Sequence, residues 1–162
     1  MNLVRHWLAR FQVHKAFPQQ TLDKIQAAIA SGEQHHLGEV CFAIEGGLPW
    51  FEAFTYTSAR DRAEAAFARL RVWNTEGNTG VLIYILLAEQ AIEIVADRGI
   101  AAKVAPEQWR AICAELEQPC RDGNHAEGTM AAIASIHRML TEHFPASGRS
   151  NPDELPNRPQ II

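Results

Sequence analysis

Between Gly80 and Ala88 the chain carries an almost unbroken apolar run, GVLIYILLA, and after Glu89 and Gln90 a second run alternates through Ile92, Glu93, Ile94 and Val95. Short apolar runs bounded by polar turn residues predict two strands joined by a two-residue turn. The run is far too short to cross a bilayer. With Glu89 and Gln90 as the turn, antiparallel register pairs Ala88 with Ala91, Leu82 with Asp97, Val81 with Arg98 and Gly80 with Gly99. The hairpin at Gly80-Asp97 then brings two polar segments, Asn74 to Thr79 and Asp97 to Gly99, to one end. Glu-Gln is not the Asn-Gly or Asp-Gly pair that a tight hairpin prefers, and a slip of one residue would turn Asp97 to the other face.

Upstream, Gly38 to Glu45 alternates Val40, Phe42 and Ile44 against Cys41 and Ala43, which predicts a first strand bracketed by Glu39 and Glu45. Glu39 could reach a site at the sheet edge, although an exposed strand end is the plainer expectation. Ahead of it, Pro18 opens a helix with Leu22, Ile25, Ala28 and Ile29 at helical spacing, ended by Ser31-Gly32. Ser58, with Asp61 three residues on, caps a helix running to about Trp73, with Ala63, Ala66, Phe67, Leu70 and Trp73 on its buried face. Strand, helix, strand implies a right-handed crossover between parallel strands, and the hairpin strand makes the sheet mixed. Two further helices follow. One starts at Pro106, presents Trp109, Ile112, Cys113 and Leu116, and stops at Pro119; the other runs from about Asn124 to His143 with Ala126, Met130, Ile133, His137 and Leu140 on one face. The expected architecture is α/β, a three-layer α/β/α sandwich.

Composition bounds this picture without changing it. The 162 residues, 47% of them hydrophobic, suffice for one core. A net charge of −4, with Arg60, Arg62, Arg69 and Arg71 interleaved with acids, gives no basic face for nucleic acid and reads as a solvated helix face. The three cysteines show no metal-ligand spacing, which predicts idle thiols in a reducing, cytoplasmic setting. Residues 1–17 form an amphipathic arm with Leu3, Trp7, Leu8 and Phe11 on one helical face beside Arg5, His6 and Arg10. Such an arm packs on its own domain or touches a partner or a membrane surface. Residues 18–145 form the α/β domain, and 146–162 hold four of the eight prolines and read as a flexible tail.

The candidate chemistry lies at the hairpin end. Asn74, Thr75, Glu76, Asn78, Thr79 and Asp97 offer oxygen donors there, which suits a hard divalent cation such as Ca²⁺ or Mg²⁺. The loop is not an EF-hand. The plainer alternative is a polar connection with Asp97 paired to Arg98 or Arg71. A phosphohydrolase would need a nucleophile in a phosphate cradle, and neither Cys-x5-Arg nor Asp-x-Asp occurs. That leaves a metal-assisted route using Glu76 or Asp97, with Arg71 and Arg98 holding phosphate. A third reading is protein binding through Trp7 and Phe11 in the arm or Trp50, Phe51 and Phe54 in the loop after the first strand. His35 and His36 are adjacent, point apart on any regular backbone, and do not form a two-histidine ligand pair.

At RVWNTEGNTGVLIYILLAEQAIEIVADRGI the sequence resembles the TPM domain family, and the similarity extends over Gly38 to Pro145 through GEVCFAIE, ARDRAEAAFARLRVW, WRAIC and LTEHFP. It is most similar to the soluble bacterial subgroup without signal peptide or membrane anchors. The resemblance implies a Rossmann-like α/β/α sandwich with a mixed sheet. It also implies either divalent-cation binding and accessory work beside a membrane-anchored partner at the inner membrane face, or the phosphatase activity attached to the family's name. Glu76, Asn78, Asp97, Arg98 and Gly99 match the family pattern. Asn74 stands where relatives commonly have Asp, and Thr79 where many have Asn, so an oxygen donor stays at each position but one negative charge is absent.

Overall fold

In the computed structural model, residues 9, 12–48, 58–148 and 151–162 are described. A short helix α1 (Val13–Ala16) leads into α2 (Gln19–Gly32), whose Leu22, Ile25 and Ile29 are buried. A 3-10 turn (Glu33–His35) then delivers the chain to β1 (Glu39–Glu45). Ser58 caps α3 (Ala59–Arg69), its hydroxyl accepting from Asp61 N–H at 3.1 Å. β2 (Gly80–Leu86) and β3 (Ala91–Ala96) follow, then a single turn α4 (Arg98–Ala101), the long helices α5 (Pro106–Arg121) and α6 (His125–His143), and a two-residue strand β4 (Gln160–Ile161).

The sheet runs β3-β2-β1-β4, with β2 and β4 parallel to β1 and β3 antiparallel to β2. It is mixed, as the strand–helix–strand–hairpin order requires. Alternation sorts the side chains. Val40, Phe42, Ile44, Val81, Ile83, Ile85, Ile92 and Ile94 face one core with α2, α5 and α6, while Cys41, Ala43, Leu82, Tyr84, Leu86 and Val95 face another with Ala63 and Ala66 of α3. Helices on both faces make the three-layer sandwich, and double coverage is why β1 and β2 are buried at every position. No helix among the described residues is long and apolar enough to cross a membrane.

Four local expectations are corrected. The hairpin connection is four residues, because a 3-10 turn (Leu87–Glu89) and left-handed Gln90 (φ 52°) intervene and Ala88 N–H leaves the ladder to bond Gly46 O at 2.9 Å. Leu82 therefore faces Val95 and Val81 faces Ala96, a shift of two residues from the expected pairing. An even shift keeps every side chain on its expected face. The helix expected to reach Trp73 ends at Arg69, because Arg71 turns left-handed (φ 55°); Val72 goes inward and Trp73 is 51% exposed. Pro119 sits inside α5, whose end is set instead at Gly123 (φ 82°), and Gly128 of α6 gives the proline ring room. Finally, residues 151–162, expected as a loose tail, lie along the open edge of β1. Leu155 is buried, Gln160 and Ile161 pair with Ala43 and Ile44, and Ile162 N–H donates to Ile44 O at 3.0 Å.

Candidate functional site

The loop between α3 and β2 is built from its own side chains. Thr75 Oγ1 accepts from Thr79 N–H at 2.9 Å, and Thr79 Oγ1 donates to Leu37 O at 2.9 Å. Both threonines are buried, so these two expected ligands are spent on holding the loop. Asn78 takes a left-handed conformation (φ 51°), and its carbonyl accepts from Gly99 N–H at 3.0 Å, which ties the loop to the start of α4. A Cβ on Gly99 would stand 2.6 Å from the carbonyl oxygens of both Gly77 and Asn78. Gly99→Ala is therefore expected to push the loop off α4, shifting the amide signals of residues 76–79 while the β1–β2 ladder stays protected from hydrogen exchange.

Asp97 stands at the end of β3, its N–H bonded to Gly80 O at 2.8 Å. Its Oδ1 accepts from Arg98 N–H at 2.7 Å and caps α4, while Oδ2 is buried with no partner. Arg98 Nε donates to Asn78 Oδ1 at 3.0 Å, so a guanidinium already contacts one expected metal ligand. Glu76 and Asn74 are exposed, as is Arg71. The fold thus joins Asn78, Arg98 and Asp97 through hydrogen bonds, with Glu76 two residues before Asn78 on the same loop. Trp7, Phe11, Trp50, Phe51 and Phe54 lie outside the described residues.

Three polar groupings were not foreseen. At one end of β1, Glu45 accepts from Arg62 Nε at 2.8 Å, from Arg62 Nη2 at 2.6 Å and from Tyr84 O–H at 2.5 Å, all within the α3-side core. Arg62, expected on a solvated face, is 5% exposed. The signal was a glutamate closing a strand buried on both faces, which requires a partner. At the other end, Glu39, expected at an exposed strand end, is 1% exposed and shares its carboxylate with Asn151 Nδ2 at 2.9 Å, Leu155 N–H at 3.2 Å and Glu154 N–H at 3.3 Å. Glu33, which accepts from Val40 N–H at 2.7 Å, and Asp153 each bring an oxygen within 4.8 Å of it. Burial first, then the neighbouring negative charges, push Glu33 up to about 8 and Glu39 up to about 7, against their backbone hydrogen bonds.

The third is a histidine pair. His36 Nε2 and His137 Nδ1 are 2.7 Å apart with rings stacked at 5.0 Å, and Gly38 N–H donates to His36 Nδ1 at 3.1 Å. That bond places the His36 proton on Nε2, which donates to His137. Burial holds both imidazoles neutral, near pKa 4. The thiols are inert as nucleophiles: burial raises Cys41 to about 12, and Cys113 and Cys120 to about 11.

Among proteins of known function, no curated sequence matches this chain. Among solved structures, it is similar to the NMR structure of the BA42 protein from the psychrophilic bacterium Bizionia argentinensis, at 26% identity and a TM-score of 0.77, over 88% of this chain and 93% of that one. The expected sandwich is thus found in a relative across nearly the whole length of both chains. A family model described as the TPM domain matches residues 13–139, from α1 through the greater part of α6, and the chain belongs to the TPM domain family.

Proposed function

We propose that this TPM domain is a divalent-cation-binding module with its site where the 74–79 loop meets Asp97. The observation that carries the reading is Asp97 Oδ2, a carboxylate oxygen in a residue only 9% exposed that has no hydrogen-bond partner. A buried anionic oxygen left alone is costly, and a hard cation is the group that would complete it. Glu76 supplies a second carboxylate, and Asn74 and Asn78 supply neutral amide oxygens, so Ca²⁺ or Mg²⁺ fits the donor set. Arg98 is the internal competitor: its exposed guanidinium holds Asn78 Oδ1 and must swing away when a cation binds.

Titration of the full chain with Ca²⁺, and separately with Mg²⁺, is expected to give saturable amide shifts at residues 74–79 and 97–99. Asp97→Asn keeps a capping oxygen for α4 and removes the charge, so it should abolish those shifts without unfolding the domain. Arg98→Ala should tighten binding. An unresponsive loop at millimolar cation overturns the proposal. Cation-dependent hydrolysis of a phosphomonoester that vanishes in Asp97→Asn would instead make the chain a metal-dependent phosphohydrolase, with Arg71 and Arg98 as the phosphate-holding groups.

A further inference from the structure

Segment 151–162 touches the body at three places along one line. Asn151, Glu154 and Leu155 fasten its first part to the Glu39 carboxylate, and β4 fastens its end to Ala43 and Ile44. From within that first part the Glu154 carboxylate reaches the candidate loop, accepting from Glu76 N–H at 3.1 Å and 3.2 Å through its two oxygens. A cavity of about 450 Å³ lies between segment and loop, lined by Leu37, Glu76, Thr79, Phe144, Pro152 and Glu154.

We infer that segment 151–162 is a docking strap that positions the 75–79 loop through Glu154, so that its attachment to β1 sets the cation affinity of the hairpin-end site; the affinity clause rests on the cation reading above. The strap is suited to exchange between docked and free states. Its ladder with β1 is two residues long, and Leu155 and Pro159 are its buried apolar anchors, with Ile162 partly buried. The loop is also bound to the body through Leu37 and Gly99, so release of the strap leaves it attached there and frees its Glu76 end. What the strap adds is one carboxylate acceptor, with its negative charge, on Glu76 N–H. Both act on the loop that carries the proposed ligands. Linkage then demands reciprocity, because a cation favoured by the docked strap must in turn favour docking.

The test uses amide hydrogen exchange and shifts in the full chain, with Leu155→Ala to loosen the strap and Glu154→Gln to remove its charge alone. Leu155→Ala is expected to speed exchange at Leu155 and Ile162 and to shift the Glu76 amide, while β2 amides keep their protection. Released strap amides with an unmoved Glu76 signal would overturn the inference. Should Leu155→Ala lose the β2 protection as well, Glu154→Gln decides: a displaced Glu76 amide with Ile162 still protected supports the strap, and an unchanged one overturns it. With Ca²⁺ as probe, Glu154→Gln should weaken binding roughly two- to tenfold, the range for exchanging a charge-assisted hydrogen bond for a neutral one. Equal affinity in wild type and variant overturns the affinity clause. A wild type that binds no Ca²⁺ sinks the cation reading and that clause together, and the exchange data alone then judge the strap.

Discussion

Arg62→Met should lower the unfolding free energy by about 3–5 kcal/mol, the range for stripping one partner from a buried ion pair. Arg62 and Glu45 are 5% and 3% exposed, and their bidentate contact shares Glu45 with Tyr84 O–H. Remove the guanidinium and a carboxylate is left in the α3-side core with only a phenol to support it. The same environment raises the Tyr84 hydroxyl well above its ordinary range, through burial first and then the Glu45 charge, so Tyr84 stays a donor at any working pH. Urea denaturation at neutral pH reads the loss. The triple change Arg62→Met, Glu45→Leu, Tyr84→Phe should recover most of it, because replacing the whole network leaves no polar group alone. A loss below about 1 kcal/mol in Arg62→Met would mean that Glu45 is not held as a charge.

This network also shows where the sequence was readable and where it was not. β1 and β2 were found nearly to the residue because burial on both faces leaves unbroken apolar runs, α2 and α6 because apolar spacing agrees with their packing, and α3 at its Ser58-capped start only. The hairpin register came out two residues off, since nothing local distinguishes a two-residue turn at Glu89-Gln90 from a 3-10 turn whose Ala88 N–H is claimed by Gly46 O, a distant partner. Pro119 misled for a similar reason. A proline is tolerated near the last turn of α5 when a glycine on the facing helix, here Gly128, makes room for its ring.

The candidate site was legible as a meeting of two segments and illegible in its bonding. Asn78, Asp97 and Arg98 do come together, because the even slip preserved the face of β3. Thr75 and Thr79 looked like ligands only because sequence lists oxygen atoms without saying which are already engaged. The docked segment read as a disordered or loosely attached tail with only Ile161-Ile162 able to dock: its prolines suggested disorder, and its partner Glu39 lies more than a hundred residues away, beyond any pattern of spacing.

The acidic trio beneath that strap gives the protein an alkaline limb of stability. Glu33 and Glu39 rise from 4.5 to about 8 and about 7 in the fold, so between those limits the folded chain holds protons that the unfolded chain has released. Stability carried by these protons is complete below pH 4.5 and is lost as pH rises through 7 and 8. His36 and His137 work in the opposite sense, falling from 6.5 to about 4, so their contribution is complete above pH 6.5 and disappears as pH falls toward 4. From 4.5 to 6.5 the two pairs oppose each other, and His125, which burial also lowers, tips the balance so that stability rises gently with pH. Above 6.5 these imidazoles turn neutral in both states, and the carboxyl pair then dominates among the shifted groups of the described residues. The groups facing it are all acidic or neutral: Asp153 and Glu154 from the strap, the Val40 N–H, the Asn151 amide and the protonated Cys41 thiol. Unfolding free energy should therefore fall from pH 6.5 to 8 with a slope of up to about 1.4 kcal/mol per pH unit for each proton involved. Urea melts across this interval check it, and Glu33→Gln, which keeps an oxygen for Val40 N–H and cannot ionise, should flatten the decline. A variant that retains the full slope would locate the titrating group elsewhere.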